Sequence, residues 1–343
     1  MKLNPTITTI TGWGSYLPEK TVTNRELEQL VETQDEWIHA RTGILARRLA
    51  APNESTSDLA VKAGRLALQK ASLSPQNLDL IIVATVTPDY HFPSTAALVQ
   101  AKLGASRAAA FDLSAACSGF VYALAVADQA LRTGLFSCAL VIGADIFSRI
   151  LNWKDRTTCI LFGDGAGAVV LTRTSGQGEG IIGHYLGADG TGADLLYLPG
   201  GGSRYPASQA TLAGNLHYLK MDGPEVFKFA VRTLTEATLK CLERHGFSLA
   251  ELDYFIPHQA NRRLIEAAAK KLGLPWEKVH LNVDRYANTS AASIPIALAE
   301  AAESGNLKPG NLVALGGFGA GLTWGITLLH WPHLSGDLKT TFC

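Results

Sequence analysis

An internal repeat limits the folds open to this chain of 343 residues. The stretch LSPQNLDLII, residues 73–82, resembles FSLAELDYFI, residues 247–256, at a separation of 174 positions. The same separation relates the Ala-Leu-Ala run at 123–125 to that at 297–299. Two matches in one register are hard to obtain by chance, so the sequence predicts two copies of one structural unit.

Each copy predicts the same order of helices and strands. An amphipathic run, an apolar strand, a second helical run and a second strand follow one another at 58–71, 79–86, 118–131 and 139–143, and again at 225–244, 253–257, 291–303 and 312–316. Helices that alternate with strands are typical of α/β units with buried sheets. We therefore expect an α/β protein of two duplicated halves, residues 1–174 and 175–343, related by a pseudo-twofold axis. The Gly/Pro/Ser-rich stretch 187–208 predicts a long loop between them.

The charge and cysteine content exclude several classes of protein. Thirty Lys and Arg balance thirty Asp and Glu, so the chain lacks the positive field on which non-specific nucleic-acid binders rely. No apolar run has the length of a signal peptide or a membrane span. The cysteines are odd in number and form no C-x-x-C pair, which favours neither a disulfide framework nor a zinc site; they are Cys117, Cys138, Cys159, Cys241 and Cys343. We expect a cytoplasmic protein without a metal.

Cys117 is the first candidate for chemistry. It follows small residues and directly precedes the helical run that begins at Ser118. The start of a helix stabilises a thiolate through its dipole and its unpaired N–H groups, so we expect a lowered thiol pKa and a nucleophile here. The alternative is an inert buried cysteine, which is the commoner case for a single Cys.

His258 and Asn288 are the second and third candidates. His258 follows the strand 253–257, and ligands of open α/β sheets gather at that end of a strand; the alternative is a structural histidine. Asn288 lies in the polar turn before the helical run at 291–303, where the alternative is an ordinary N-cap. The repeat maps Cys117 onto Ala291, so the two helix starts are symmetry mates and should converge. A thiol with a nearby imidazole and amide suits thioester or acyl transfer.

The chain resembles the β-ketoacyl-[acyl-carrier-protein] synthase III family, within the thiolase-like superfamily. The motifs that carry this resemblance are WIHARTGI at 37–44, FPST at 92–95, DLSAACSGF at 112–120, FGDGAG at 162–167, HQAN at 258–261, NTSAASIP at 288–295 and GLTWG at 321–325. The set of Cys, His and Asn is that of this branch, since elongating synthases use Cys with two His and thiolases use a second Cys. The resemblance implies a thiolase-like fold with layers ordered α-β-α-β-α.

The resemblance also implies a reaction and roles for the three candidates. Cys117 would accept the acyl group of a short acyl-CoA, and the acyl-enzyme would condense with malonyl-acyl-carrier protein as carbon dioxide leaves, which starts fatty-acid synthesis. The backbone N–H groups of Cys117 and Ala320 would form the oxyanion hole. Neutral His258 and Asn288 would hold the enolate oxygen. The CoA thioester is a substrate, so no cofactor is implied.

The resemblance further implies a CoA entrance at Trp37, Arg41 and Arg156. An indole face suits adenine and a guanidinium group suits phosphate. The alternative for Arg41 is a salt bridge. Phe92 would cross to the partner of a homodimer and close its acyl pocket; the alternative is a core anchor of its own chain.

The resemblance implies an acidic carrier protein as partner, and the positive charge of a basic run after His258 would complement it. Arg262, Arg263, Lys270 and Lys271 lie on this run, and Arg263 and Lys270 share a helix face because they are seven positions apart. We expect a carrier contact, with Arg263 the preferred residue; the alternative is a solvated helix face.

Two other functions remain open from the sequence. One is a synthase III-like acyltransferase or condensing enzyme of secondary metabolism, which would use Cys117 with another acceptor. The other is a non-catalytic acyl-chain-binding subunit, against which the joint presence of Cys117, His258 and Asn288 argues. Ala320 stands where the resembled enzymes commonly have glycine. Its methyl group is expected to crowd the oxyanion hole or to change the φ angle of this residue.

Overall fold

The computed structural model describes residues 6–175 and 179–333. The strands are β1 Thr6–Tyr16, β2 Lys20–Thr23, β3 Ala46–Leu49, β4 Leu80–Ala84, β5 Ala109–Leu113, β6 Cys138–Ile146, β7 Asp164–Ser175, β8 Ile181–Ala188, β9 Leu196–Tyr197, β10 Lys220–Met221, β11 Tyr254–Pro257, β12 Leu312–Gly319 and β13 Thr323–His330. The helices are α1 Asn24–Leu27, α2 Asp35–Thr42, α3 Thr56–Lys70, α4 Thr95–Leu103, α5 Gly119–Arg132, α6 Gln209–Ala213, α7 Gly223–Arg244, α8 Arg262–Leu272, α9 Val283–Tyr286 and α10 Ser293–Glu303.

Two mixed sheets form the centre of the molecule. The first has the order β1-β7-β6-β4-β5 and the second the order β8-β13-β12-β11. In the first sheet β4 runs parallel to β5 and β6, whereas β7 is antiparallel to both β6 and β1. The second sheet repeats this pattern, with β11 parallel to β12 and the remaining pairs antiparallel. Each sheet is therefore built from the strands of one half.

The repeat of 174 positions is present in the structure. It relates the first residues of β4 and β11, of β6 and β12, and of α5 and α10. Strands β4, β6, β11 and β12 are buried at every position, which explains why the sequence shows them as apolar runs rather than as alternating patterns. The predicted thiolase-like α/β fold is confirmed.

Five layers follow from how the helices cover these sheets. Helices α5 and α10 lie between the two sheets: α5 contacts β4 and β6 on one side and β12 and β13 on the other. Helices α3 and α4 cover the outer face of the first sheet, and α7, joined by α8, covers that of the second. Each interface has its own apolar core, one between the sheets and one beneath each outer pair of helices.

The stretch 187–208 is not wholly a loop. Its first two residues end β8, and Leu196–Tyr197 forms β9, which pairs with β10. A strand of two residues is too short to give a periodic signal, which is why the sequence did not indicate it. Within the described ranges, no helix has the length and apolar character needed to cross a membrane.

Candidate active site

Cys117 lies in a short turn that leads directly into α5. This turn, Ala116–Ser118, is called here the Cys turn. Ala116 has a φ of 47°, which is unusual for a residue with a side chain. The Cys117 side chain is buried, and its Sγ lies 3.5 Å from Oγ of Ser290. Ser290 begins the equivalent turn before α10, Ser290–Ala292, called here the Ser turn. The two helix starts thus meet, as the repeat predicts.

The resting thiol of Cys117 is protonated. Burial raises its pKa to about 12, and the negative charge of Asp145 acts in the same direction, whereas the hydrogen bond with Ser290 lowers it. The sequence predicted a lowered pKa from the helix start. That expectation is not met, because removing a thiolate from water outweighs the N–H groups that face it.

His258 directly follows β11, as predicted, and is almost fully buried. Its backbone N–H donates to the carbonyl oxygen of Gly316 at 2.7 Å, and its ring meets Phe318 edge-on with the centroids 5.1 Å apart. Its Nδ1 has no hydrogen-bond partner among the described residues. Burial lowers the pKa of His258 to about 3, so the imidazole is neutral at physiological pH.

Asn288 is held on three sides. Its N–H donates to the carbonyl oxygen of Leu161, its carbonyl oxygen accepts from the N–H of Gly163, and its Oδ1 accepts from the N–H of Ser290 at 2.8 Å. Since Oδ1 is already engaged, the amide nitrogen is the end of the side chain that remains to donate outward.

Cys117, His258 and Asn288 line a single cavity of about 140 Å³. Cys117 comes from the first half of the chain and the other two from the second. The rest of the wall is mostly apolar and includes Leu161, Phe162, Leu196, Met221, Val226, Phe227, Phe229, Leu264 and Phe318. Such a cavity suits an acyl group next to a few polar groups that orient it.

The turn FGAG, residues 318–321, lies against the nucleophile and is called here the FGAG turn. A Cβ atom at Gly319 would be 2.7 Å from the Cys117 nitrogen, so the two backbones touch. Thr323 Oγ1 lies 2.9 and 3.0 Å from the carbonyl oxygens of Ala320 and Ala115, to either of which its single hydroxyl hydrogen can donate, and Ser118 Oγ lies 2.8 Å from Thr323 Oγ1. These bonds fix the FGAG turn to the Cys turn.

Ala320 fits this turn without backbone strain. Of the turn's last two residues, Gly321 and not Ala320 has a positive φ, at 135°. The Ala320 N–H has no backbone acceptor within the described part of the chain, so it is available as a donor.

Two guanidinium groups lie close to the Trp37 ring. The Cζ atoms of Arg41 and Arg156 are 4.8 and 5.1 Å from its ring centroid. Asn261, which lines the cavity, donates from Nδ2 to the carbonyl oxygen of Arg41 at 3.3 Å. Arg41 makes no ion pair among the described residues, which removes the salt-bridge alternative there.

Phe92 and the basic run lie at the surface. The Phe92 side chain is 86% exposed and does not line the cavity, so it is not a core anchor of its own chain. Arg263 and Lys270 are exposed on α8, whereas Arg262 pairs with Glu266 at 2.7 Å. Among the described residues, no group of three His, Cys, Asp or Glu side chains could hold a metal.

Sequence reasoning missed three polar residues of this site. Ser290 contacts the thiol, and Ser118 and Thr323 join the two turns. A usable signal existed for Ser290, because the repeat maps it onto Ala116, the neighbour of Cys117. Thr323 lies inside the GLTWG motif but gives no separate signal, since its role depends on a contact between distant parts of the chain.

Comparison with known proteins shows which family the chain resembles over its length. The family model described as 3-oxoacyl-[acyl-carrier-protein] synthase III matches residues 111–190, and the model of its C-terminal part matches residues 242–331. The chain is 57% identical over 322 residues to the β-ketoacyl-[acyl-carrier-protein] synthase III of Caldanaerobacter subterraneus subsp. tengcongensis, covering 94% of this chain and 97% of that protein. It is 55% identical over 331 residues to the protein of that name from Symbiobacterium thermophilum, covering 96% and 99%. The crystal structure of 3-oxoacyl-[acyl-carrier-protein] synthase III from Aquifex aeolicus matches with a TM-score of 0.87 and 48% identity, covering 94% of this chain and 100% of that one.

Proposed function

The chain belongs to the β-ketoacyl-[acyl-carrier-protein] synthase III family, and on this basis we propose that Cys117, His258 and Asn288 carry out its two chemical steps. It is an acyltransferase and a condensing enzyme of fatty-acid biosynthesis. A short acyl group from acyl-CoA condenses with malonyl-acyl-carrier protein, and carbon dioxide is lost. A synthase of secondary metabolism is not favoured, because relatives more than 50% identical carry the synthase III name.

In the first step the Cys117 sulfur attacks the thioester carbonyl of acyl-CoA. The bond to the CoA sulfur breaks, CoA leaves as its thiol, and the acyl group remains on Sγ. Because the resting thiol is protonated, its proton leaves as the new bond forms and balances the proton that the departing CoA sulfur takes up. The N–H groups of Cys117 and Ala320 hold the oxygen of the tetrahedral intermediate, and one such donor is worth about 2.7–4 kcal/mol.

In the second step the malonyl carboxylate leaves as carbon dioxide, and the resulting enolate attacks the acyl carbon on Sγ. The bond between that carbon and Sγ then breaks, which releases the β-ketoacyl-carrier protein and the Cys117 thiolate, and the thiolate takes up a proton to restore the resting thiol. Neutral His258 donates one hydrogen bond to the enolate oxygen and the Asn288 amide donates another. A charged imidazole would attract the malonyl carboxylate and oppose its loss, so the lowered pKa of His258 supports this role. The reaction needs no cofactor or metal, since the thioester supplies the activated carbon.

The observation that carries this proposal is the shared cavity. Three groups of the required chemistry, from opposite halves of the chain, line one space of about 140 Å³ with a mostly apolar wall. A thiol buried elsewhere would have no access to an acyl group.

Measuring the two half-reactions separately tests the proposal. Intact mass after addition of acetyl-CoA should show one acetyl group on the wild type and none on Cys117→Ser. Asn288→Ala should still form this adduct but release carbon dioxide from malonyl-acyl-carrier protein about 10²–10³ times more slowly. Cys138→Ser changes a buried cysteine that does not line the cavity and should acylate normally. Equal loss of both half-reactions in Asn288→Ala would overturn the division of roles.

Substrate delivery is assigned to the surface around this cavity. Trp37, Arg41 and Arg156 would bind the adenine and phosphate end of CoA, which the closeness of both guanidinium groups to the Trp37 ring supports. Arg263 and Lys270 would bind the acidic carrier protein. Arg262 is a weaker candidate, because Glu266 already neutralises it.

A homodimer and a cytoplasmic location complete the proposal. Phe92 is exposed near Tyr90, and Phe111 is 40% exposed on the edge strand β5; together they support a partner surface to which Phe92 contributes. The four described cysteines are free, in keeping with a reducing compartment. The division into halves 1–174 and 175–343 stays part of this proposal. It is supported by β7, the last strand of the first sheet in chain order, which ends at Ser175, and by β8, the first strand of the second sheet, which begins at Ile181.

A further inference from the structure

The Cys turn and the Ser turn are built alike. Ala116 and Ser290 lie 174 positions apart, and both have positive φ values, 47° and 53°. Each turn packs against a strand of the opposite half at a glycine. A Cβ at Gly143 on β6 would lie 2.1 Å from the Ala291 carbonyl oxygen, and one at Gly317 on β12 would lie 3.0 Å from Cα of Ser118. Gly143 and Gly317 are also 174 positions apart, so the two contacts are symmetry mates.

Two residues further along these strands the symmetry breaks. The equivalent positions are Gly319 on β12 and Asp145 on β6. Gly319 faces the Cys117 N–H and has no side chain, which leaves space beside that donor. Asp145 has a carboxylate in the corresponding place, and its Oδ2 accepts from the N–H of Ala291, the counterpart of the Cys117 N–H, at 3.1 Å.

The carboxylate is fixed by several further donors. Its Oδ1 accepts from the N–H groups of Val86 and Thr87, at 2.9 and 3.1 Å, and from the hydroxyl groups of Thr85 and Thr87, at 3.0 and 2.8 Å. Asp145 is fully buried. A buried carboxylate with this many donors is a rigid anchor.

Asp145 is linked to the side-chain amide of Asn288 through two backbone contacts. Ala291 is held by Asp145, and its neighbour Ser290 donates from its N–H to Oδ1 of Asn288. We propose that Asp145 is a positioning residue that orients Asn288. Its carboxylate occupies the place at the Ser turn that is equivalent to the place left open for the substrate oxygen at the Cys turn. The duplicated fold thus has two potential oxyanion sites, of which one is occupied by the protein itself.

This inference rests on the proposed function, because it assigns Asp145 an effect on the step that Asn288 serves. Replacing Asp145 by asparagine keeps the size of the side chain. It also puts an NH₂ group, which cannot accept a hydrogen bond, where a carboxylate oxygen accepts from several donors. Asp145→Asn should slow carbon dioxide release from malonyl-acyl-carrier protein about tenfold or more. Acetylation of Cys117 by acetyl-CoA should not be slowed by more than about threefold, since the Cys turn keeps its own contacts and loss of the Asp145 charge removes one cause of the raised thiol pKa.

Asp128→Asn is the matched control. Asp128 is another fully buried carboxylate, paired with Arg132, toward the far end of α5 from Cys117. Asp128→Asn should lower the melting temperature but change the rates of Cys117 acetylation and carbon dioxide release by the same factor. Equal losses of both half-reactions in Asp145→Asn, or wild-type rates for both, would overturn the inference.

A second variant covers the case in which Asp145→Asn does not fold. Thr85→Val removes one donor to the same carboxylate oxygen. It should slow carbon dioxide release more than Cys117 acetylation, by a smaller factor than Asp145→Asn does. If both half-reactions change by the same factor relative to wild type, the inference is rejected. Wild-type protein that forms no acetyl adduct would instead refute the proposed function.

Discussion

At the scale of single residues, the protonated state of Cys117 is the feature most open to test. Its pKa is raised to about 12 by burial, so the thiolate is the minor form at neutral pH and increases as pH rises. Alkylation by iodoacetamide should therefore accelerate about tenfold per pH unit between pH 6 and 9. Mass spectrometry with Cys117→Ser as the blank would follow this rate. A plateau below pH 8 would mean that the helix start lowers the pKa after all.

His258 gives the opposite expectation. Its pKa is lowered to about 3, so it stays neutral from pH 5 to 9 and carries no charge that could change in this range. Carbon dioxide release from malonyl-acyl-carrier protein should show no break near pH 6.5. His258→Gln keeps a neutral donor and should have the same flat profile at a lower rate. A break near pH 6.5 in the wild type that disappears in His258→Gln would show that the imidazole titrates.

At the scale of elements, the contact between β6 and the Ser turn sets the distance between the halves. A methyl group at Gly143 would meet the backbone oxygen of Ala291 at 2.1 Å, and a backbone atom cannot rotate away as a side chain can. Gly143→Ala should therefore lower the free energy of unfolding by about 1–3 kcal/mol. Gly202→Ala is the control, because a Cβ there meets nothing within 4 Å. Equal urea midpoints for the two variants would show that the halves can move apart freely.

The elements also show how far the sequence could predict this molecule. The strands β4, β6, β11 and β12 were predictable because their burial makes them apolar runs in a fixed register. His258 was predictable because it follows β11, and Cys117 and Asn288 because each lies just before a predicted helix. Asp145 was not, because nothing in GADIF distinguishes a carboxylate that caps a distant turn from one in a loop. Thr85 to Thr87 meet it only once β4 pairs with β6, and Ala291 meets it only once the two halves pack together.

At the scale of the whole molecule, the exposed Phe92 predicts that one chain completes the site of another. Wild-type protein should have twice the 36.5 kDa mass of the chain in light scattering. Cys117→Ser and Phe92→Ser should each lose most of the activity, for different reasons. An equal mixture should recover about a quarter of the wild-type rate, since half of the dimers then contain one complete site. No recovery after subunit exchange would mean that Phe92 serves its own chain.

We predict that delivery of malonyl-acyl-carrier protein depends on positive charge at one face of the molecule, although its net charge is zero. Arg263 is exposed at the start of α8, beside the cavity wall formed by Asn261 and Leu264, and it forms no ion pair within the described residues. Arg263→Glu should raise KM for malonyl-acyl-carrier protein about tenfold and leave KM for acetyl-CoA unchanged, because only the carrier is a large acidic partner. Lys308→Glu makes the same charge change before the first residue of β12, at the opposite end of the strand from Gly319, and should alter neither constant. If the carrier protein docks at α8, the increase in its KM caused by Arg263→Glu should become smaller as salt is added. Salt screens the attraction between Arg263 and the carrier, which is present in the wild type and absent in the variant. An effect that is equal for both substrates and indifferent to salt would place the loss in the shape of the entrance rather than in its charge.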